Sequence, residues 1–220
     1  MKQLLITIAA VVLVGCGPSI DIHDAARHGD IDRLKSILDS GTDINIKDAE
    51  LNSTPLYIAA LGGHLDAVEL LISSGADINS KNFSNETPLH AASEGGNSEI
   101  VQLLIDKGAD IEAKNRLWKY TALDKAVQSG NVKIVNKLIL NGANVDTMDG
   151  KDGNSTMHRA AELGKIEIIK LLIENKADIN FANKLQATPL DYAIDQSAEV
   201  TNLLRKHGAK TGEELKAEGK

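Results

Sequence analysis

The sequence predicts an all-α solenoid of about six stacked helix-turn-helix units with β-hairpin-like loops between them. Three observations lead there. A phrase whose fullest form is Thr-Pro-Leu-x-x-Ala-Ala returns about every 33 residues. A second landmark, Gly-Ala-Asp-Ile-Asn, returns at the same interval. Each helical segment between the landmarks is too short to be stable alone in water, so its apolar face has to be covered by neighbouring units.

In chain order, residues 1–15 read as a signal peptide. Lys2 supplies a positive n-region, and Leu4 to Val14 form an apolar stretch of h-region length, too short to cross a bilayer as a helix. Leu13-Val14-Gly15-Cys16 then resembles the lipobox of bacterial lipoproteins. An ordinary secretory leader, or an anchor that happens to carry a cysteine, is the alternative. The resemblance implies that Cys16 is the lipidation site: its thiol receives a diacylglycerol, the leader is cut before it, and the new amino group is then acylated. Gly17 stands where enterobacterial lipoproteins kept at the inner membrane resemble one another in carrying Asp, which implies outer-membrane placement over inner, facing the periplasm. Residues 16–19 leave a tether of three residues beyond the cysteine, reaching roughly 10 Å when extended. The body would therefore lie close to the membrane.

The units follow as residues 20–53, 54–86, 87–120, 121–154, 155–187 and 188–209. Each opens on a helix start: Thr54-Pro55-Leu56, Thr87-Pro88-Leu89, Thr121-Ala122-Leu123, Ser155-Thr156-Met157 and Thr188-Pro189-Leu190, with Ile20-Asp21-Ile22-His23 as a degenerate first copy. A Thr or Ser hydroxyl suits the N-cap, and proline suits the first helical position, which needs no donor. Gly63, Gly96, Gly130 and Gly164 end the first helix of their units, and segments such as Ile100–Ile105 form the second, stopping at Gly108. Two departures stand out. Lys176 occupies a position where a left-handed glycine is expected, and the last unit lacks the inter-helix glycine. The end units carry polar outer faces, through Asp24, Arg27 and His28 at one end and Asp195, Gln196, Glu199, Asn202, Arg205 and Lys206 at the other, as an open-ended stack requires. The tail, residues 210–220, is polar and expected to fray.

With these phrases in view, the chain resembles the ankyrin-repeat family from Ile20 to about Ala209, on Thr87-Pro88-Leu89-His90 and the Gly-Ala-Asp-Ile-Asn ends. That resemblance implies loops projecting as β-hairpin fingers, and structural roles for His23, His90 and His158 in tying one repeat to the next.

The formal charge is −7 with acids and bases interspersed, so nucleic acid is not an expected partner. No nucleophile elbow, His-Glu-x-x-His helix, P-loop or dinucleotide glycine pattern is present, and no cofactor, metal or catalytic residue is expected. Asp146, Asp149 and Asp152, with Gly150 and Gly153, form an acidic loop that lacks calcium-loop spacing and the closing glutamate; a solvated loop is the favoured reading and calcium binding the alternative. The loop tips carry apolar residues that the repeat does not require: Leu51, Phe83, Leu117, Trp118 and Leu185. With Arg116, Lys119 and Tyr120 around the sole tryptophan, they are the expected partner-binding residues. Tyr57, Lys125, Arg159 and Tyr192 on the inner helices are expected to add a concave contact surface. The reading is a monomeric, non-catalytic, membrane-tethered module of the bacterial envelope that binds a protein. An immunity-like inhibitor of a periplasmic toxin or enzyme is the alternative, and a hydrolase carried on the stack is the less favoured one.

Overall fold

The computed structural model describes residues 21–194 and 196–219; the leader, Cys16 and Asp195 lie outside the described residues. Helices pair along the chain as α1 (Ile22–His28) with α2 (Ile31–Asp39), α3 (Pro55–Gly62) with α4 (Leu65–Ser73), and α5 (Pro88–Gly95) with α6 (Ser98–Asp106). They continue as α7 (Ala122–Ser129) with α8 (Val132–Leu140), α9 (Thr156–Glu162) with α10 (Ile166–Glu174), and α11 (Pro189–Ile194) with α12 (Ala198–Lys206), and α13 (Gly212–Ala217) follows α12. Odd-numbered helices up to α11 pack successively into an inner layer, and α2 to α10 form an outer one.

The core repeats with the sequence. Ile22, Leu56, Leu89, Leu123, Met157 and Leu190 occupy one register position and are buried, as are Ala25, Ala59, Ala92, Ala126, Ala160 and Ala193 three residues later. The alanines let adjacent inner helices approach closely, while Leu34, Leu71, Leu104, Leu138, Leu172 and Leu204 fill the space beneath the outer layer. One continuous apolar cluster results, with no layer closed on itself.

Buried polar groups join the layers. His90 accepts the Thr87 amide on Nδ1 at 3.2 Å and donates from Nε2 to the Tyr120 carbonyl at 2.9 Å, at the end of the finger that leads into α7. His158 does the same between the Ser155 amide (3.1 Å) and Ala187 (3.0 Å), and His23 reaches the Ile46 carbonyl at 2.9 Å. Elsewhere a carboxylate takes the amide-accepting half of the role: Asp124 accepts from the Thr121 amide and Asp191 from Thr188.

Two expectations need correction. The loops are not β-hairpins: among the described residues there is no strand, and the only β-bridge pairs Met148 with Ser155. The reason lies in an Asx residue at the base of each finger. Asp48, Asn82, Asn115, Asp149 and Asn183 accept amides two to five residues ahead, and the finger closes with one backbone bond, such as Asn115 N–H to the Tyr120 carbonyl at 2.9 Å. A left-handed residue (Asn52, Asn85, Lys119, Gly153 or Gln186) then returns the chain, leaving no length for a strand ladder.

The tail also does not follow the reading that it frays. Thr211 and Glu214 form a capping box that starts α13, and Arg205 makes a bidentate ion pair to Glu214 at 2.5 and 2.9 Å. Gly212 presses on the last finger, where a Cβ would lie 1.8 Å from the Gln186 carbonyl oxygen, and its amide donates to Asp191 at 2.8 Å.

Candidate protein-binding surface

The fingers share a backbone ladder along one edge. Phe83 N–H donates to the Leu51 carbonyl (2.9 Å), Arg116 to Ser84 (2.7 Å), Gly150 to Trp118 (2.8 Å) and Lys184 to Asp152 (3.0 Å). One bond per repeat therefore sets each tip against the next. Leu51, Phe83, Leu117 and Leu185 stand out from this row at 57%, 61%, 72% and 67% exposure, and Trp118 at 38%. Apolar side chains left in water along one edge of an otherwise well-buried fold are a candidate contact surface.

Inner helices brace the fingers from below. Tyr57 Oη donates to Glu86 at 3.0 Å, Asn115 donates to the same carboxylate at 3.2 Å, and Lys125 pairs with Glu86 at 2.7 Å and with Glu94 at 2.9 Å. Burial alone would raise the Glu86 carboxyl, but Lys125, Asn115 and Tyr57 outweigh it and hold it below the ordinary range. Lys125 answers in kind: burial would lower it, and the two glutamates keep it raised and charged. Burial, reinforced by Glu86, pushes the Tyr57 phenol up, so it remains a donor.

Further along, Arg159 lies over the Tyr120 ring at 4.0 Å and pairs with Asp149 at 3.4 Å, and Tyr192 Oη donates to Asn154 at 3.1 Å. Tyr57, Lys125, Arg159 and Tyr192 thus hold the fingers in place, a bracing role that their types and spacing did not disclose.

Between the second and third fingers and helices α5 and α7 lies a groove of about 610 Å³, lined by Ser84, Glu86, Glu94, Asn115, Leu117, Trp118, Tyr120, Lys125, Gln128 and Ser129. Of the expected partner-binding residues it gathers Leu117, Trp118 and Tyr120. Leu51 borders a smaller hollow of about 200 Å³ with Tyr57 and Leu61, while Phe83, Leu185 and Arg116 line neither.

Tyr120 lines the groove but is nearly buried: at 9% exposure its ring stacks against Trp118 (6.2 Å between centroids, 23° between planes) and carries the Arg159 guanidinium. Lys151 lies 5.9 Å above the Trp118 ring. Glu86, Glu94 and Asn115 escaped sequence reading. The signal for Asn115 was its register identity with Asp48, Asn82, Asp149 and Asn183; Glu86 and Glu94 gave none.

The acidic loop is committed internally. Asp149 Oδ1 accepts the amides of Lys151, Asp152, Gly153 and Asn154, and no group of three or more potential metal ligands occurs among the described residues.

No curated protein matches the chain. The family model described as ankyrin repeats (3 copies) matches residues 22–115 and again 119–214. Taken with the helix pairs, the shared core register and the row of fingers, that match, spanning most of the sequence, means that the chain belongs to the ankyrin-repeat family.

Proposed function

We propose that this chain is a non-catalytic protein-interaction module tethered to the bacterial envelope, gripping its partner with the finger tips and the groove beneath them. The observation that carries the binding reading is the tip row: exposed apolar side chains on four fingers, two of them, Leu117 and Trp118, on the third, fixed by main-chain bonds and braced from the inner helices. Preorganised apolar anchors lose little freedom on association, so their burial goes into affinity. Supporting the tether is the lipobox-like Leu13-Val14-Gly15-Cys16, with acyl chains on Cys16 as the anchor and the body facing the periplasm of the outer membrane.

The test is a crosslinking pull-down from envelopes with the full chain, comparing wild type, Phe83→Ala and Trp118→Ala. The two variants should each lose a partner that wild type retains, with thermal midpoints near that of wild type. Retention of every partner by both variants would remove the fingers from the account. In the same preparation, Cys16→Ser should leave the membrane fraction or remain unprocessed; a variant that is processed and still membrane-bound would refute the tether.

A further inference from the structure

The third finger differs from the rest in charge. Residues 113–120 contain Lys114, Arg116 and Lys119 and no acid, in a chain whose formal charge is −7. All three cations are exposed, and none is ion-paired among the described residues. Lys119 lies across Gly150, where a Cβ would meet its Cγ at 2.6 Å, so the glycine keeps its stem against the next finger.

The neighbouring cations extend this field. Lys151 is largely exposed beside Trp118, with Asp152 at 3.9 Å as its acid, and Lys184 is held at the next tip by the Lys151 carbonyl at 2.8 Å. Behind the aromatic pair, the Nε of Arg159 has no acceptor and its one carboxylate, Asp149, already takes four amides. Opposing acids are few. Glu86 is spent on Lys125, Asn115 and Tyr57, and Glu94 shares that same lysine.

Resting on the protein-binding reading above, we propose that the partner offers this site an acidic segment. Its apolar residue enters the groove against Leu117 and Trp118, and its flanking carboxylates meet Arg116, Lys119 and Lys151. Charge complementarity around a desolvated aromatic anchor would set which partner is accepted and how fast it arrives.

Trp118 is the chain's single tryptophan, so its fluorescence reports occupancy of this groove directly. The full chain is titrated with a Gly-Ser peptide carrying glutamates around one central Phe, and with counterparts bearing lysines or glutamines in their place. The glutamate peptide should bind most tightly, by about tenfold over the glutamine peptide, and weaken with added salt. The double variant Arg116→Glu/Lys119→Glu should reverse the order, while Lys133→Glu, on helix α8, should leave it unchanged.

Equal binding of the three peptides, no binding of any, or an unchanged order in the double variant overturns the proposal. So does an equal response to phosphatidylglycerol vesicles or single-stranded DNA, which would make the finger a general anion surface. The two readings fail separately. If a partner depends on Phe83 and Trp118 but is captured equally by the charge-reversed double variant, the acidic segment is wrong and protein binding stands; if no partner depends on Phe83 or Trp118, the broader reading falls.

Discussion

At the scale of single residues, the buried histidines link the stack to pH. Burial lowers the affinity of His90 for a proton, and its Nδ1 faces the Thr87 amide donor, which the protonated ring cannot accept from. His158 is lowered for the same reasons beside Ser155. A histidine whose native value lies below its unfolded one binds more protons when unfolded, so its contribution is intact above the unfolded value of about 6.5 and is lost as pH falls from there towards the native value. The thermal midpoint should therefore drop on acidification through this range. Replacing His90 and His158 by Gln should lower it at neutral pH and flatten that part of the profile; an unchanged slope would place the acid sensitivity elsewhere. These histidines were legible because their register repeats and their side chains serve a local bond. The bracing Arg159 and Tyr120 were not, since a stack between residues of different repeats leaves no mark on the spacing within one.

At the scale of elements, the turn after α10 carries the fold's clearest local conflict. Lys176 adopts φ +64°, whereas the equivalent positions Gly75, Gly108, Gly142 and Gly208 meet the same need without a side chain. Lys176→Gly should relieve left-handed strain while giving back some unfolded-state entropy, for a net gain of roughly half to one kcal/mol in chemical denaturation. A loss would mean that the lysine side chain contributes more than its backbone strain removes. Helix positions, caps and this left-handed lysine could all be read from the sequence, because they follow from periodicity and from local steric rules. The finger conformation could not. Whether a loop becomes a strand pair depends on where an Asx side chain intercepts the amides, as Asn82 and Asn115 do, and no hydrophobic pattern records that.

At the scale of the whole molecule, stability is a sum over layers and their contacts, and the ends are the weak points. The C-terminal end is closed by α13 through Arg205–Glu214, Gly212–Asp191 and the contact of Gly212 with the last finger. Its polar composition masked this role, since charged residues that pair across a turn look no different in sequence from charged residues that fray. Removing residues 211–220 should lower the thermal midpoint by a few degrees and make the chain associate at high concentration, read by scanning calorimetry and sedimentation. A truncated chain with an unaltered midpoint would show that α13 is an ornament of the last layer.

The bonds between finger tips join main chain to main chain, one per layer, and do not depend on which side chain stands beside them. The tips therefore behave as pegs on a rail: the rail fixes pitch and direction, and a peg can be exchanged without bending it. A descendant of this chain can change what it holds by substituting at residues 51, 83, 117 and 185 while keeping the same folding problem already solved.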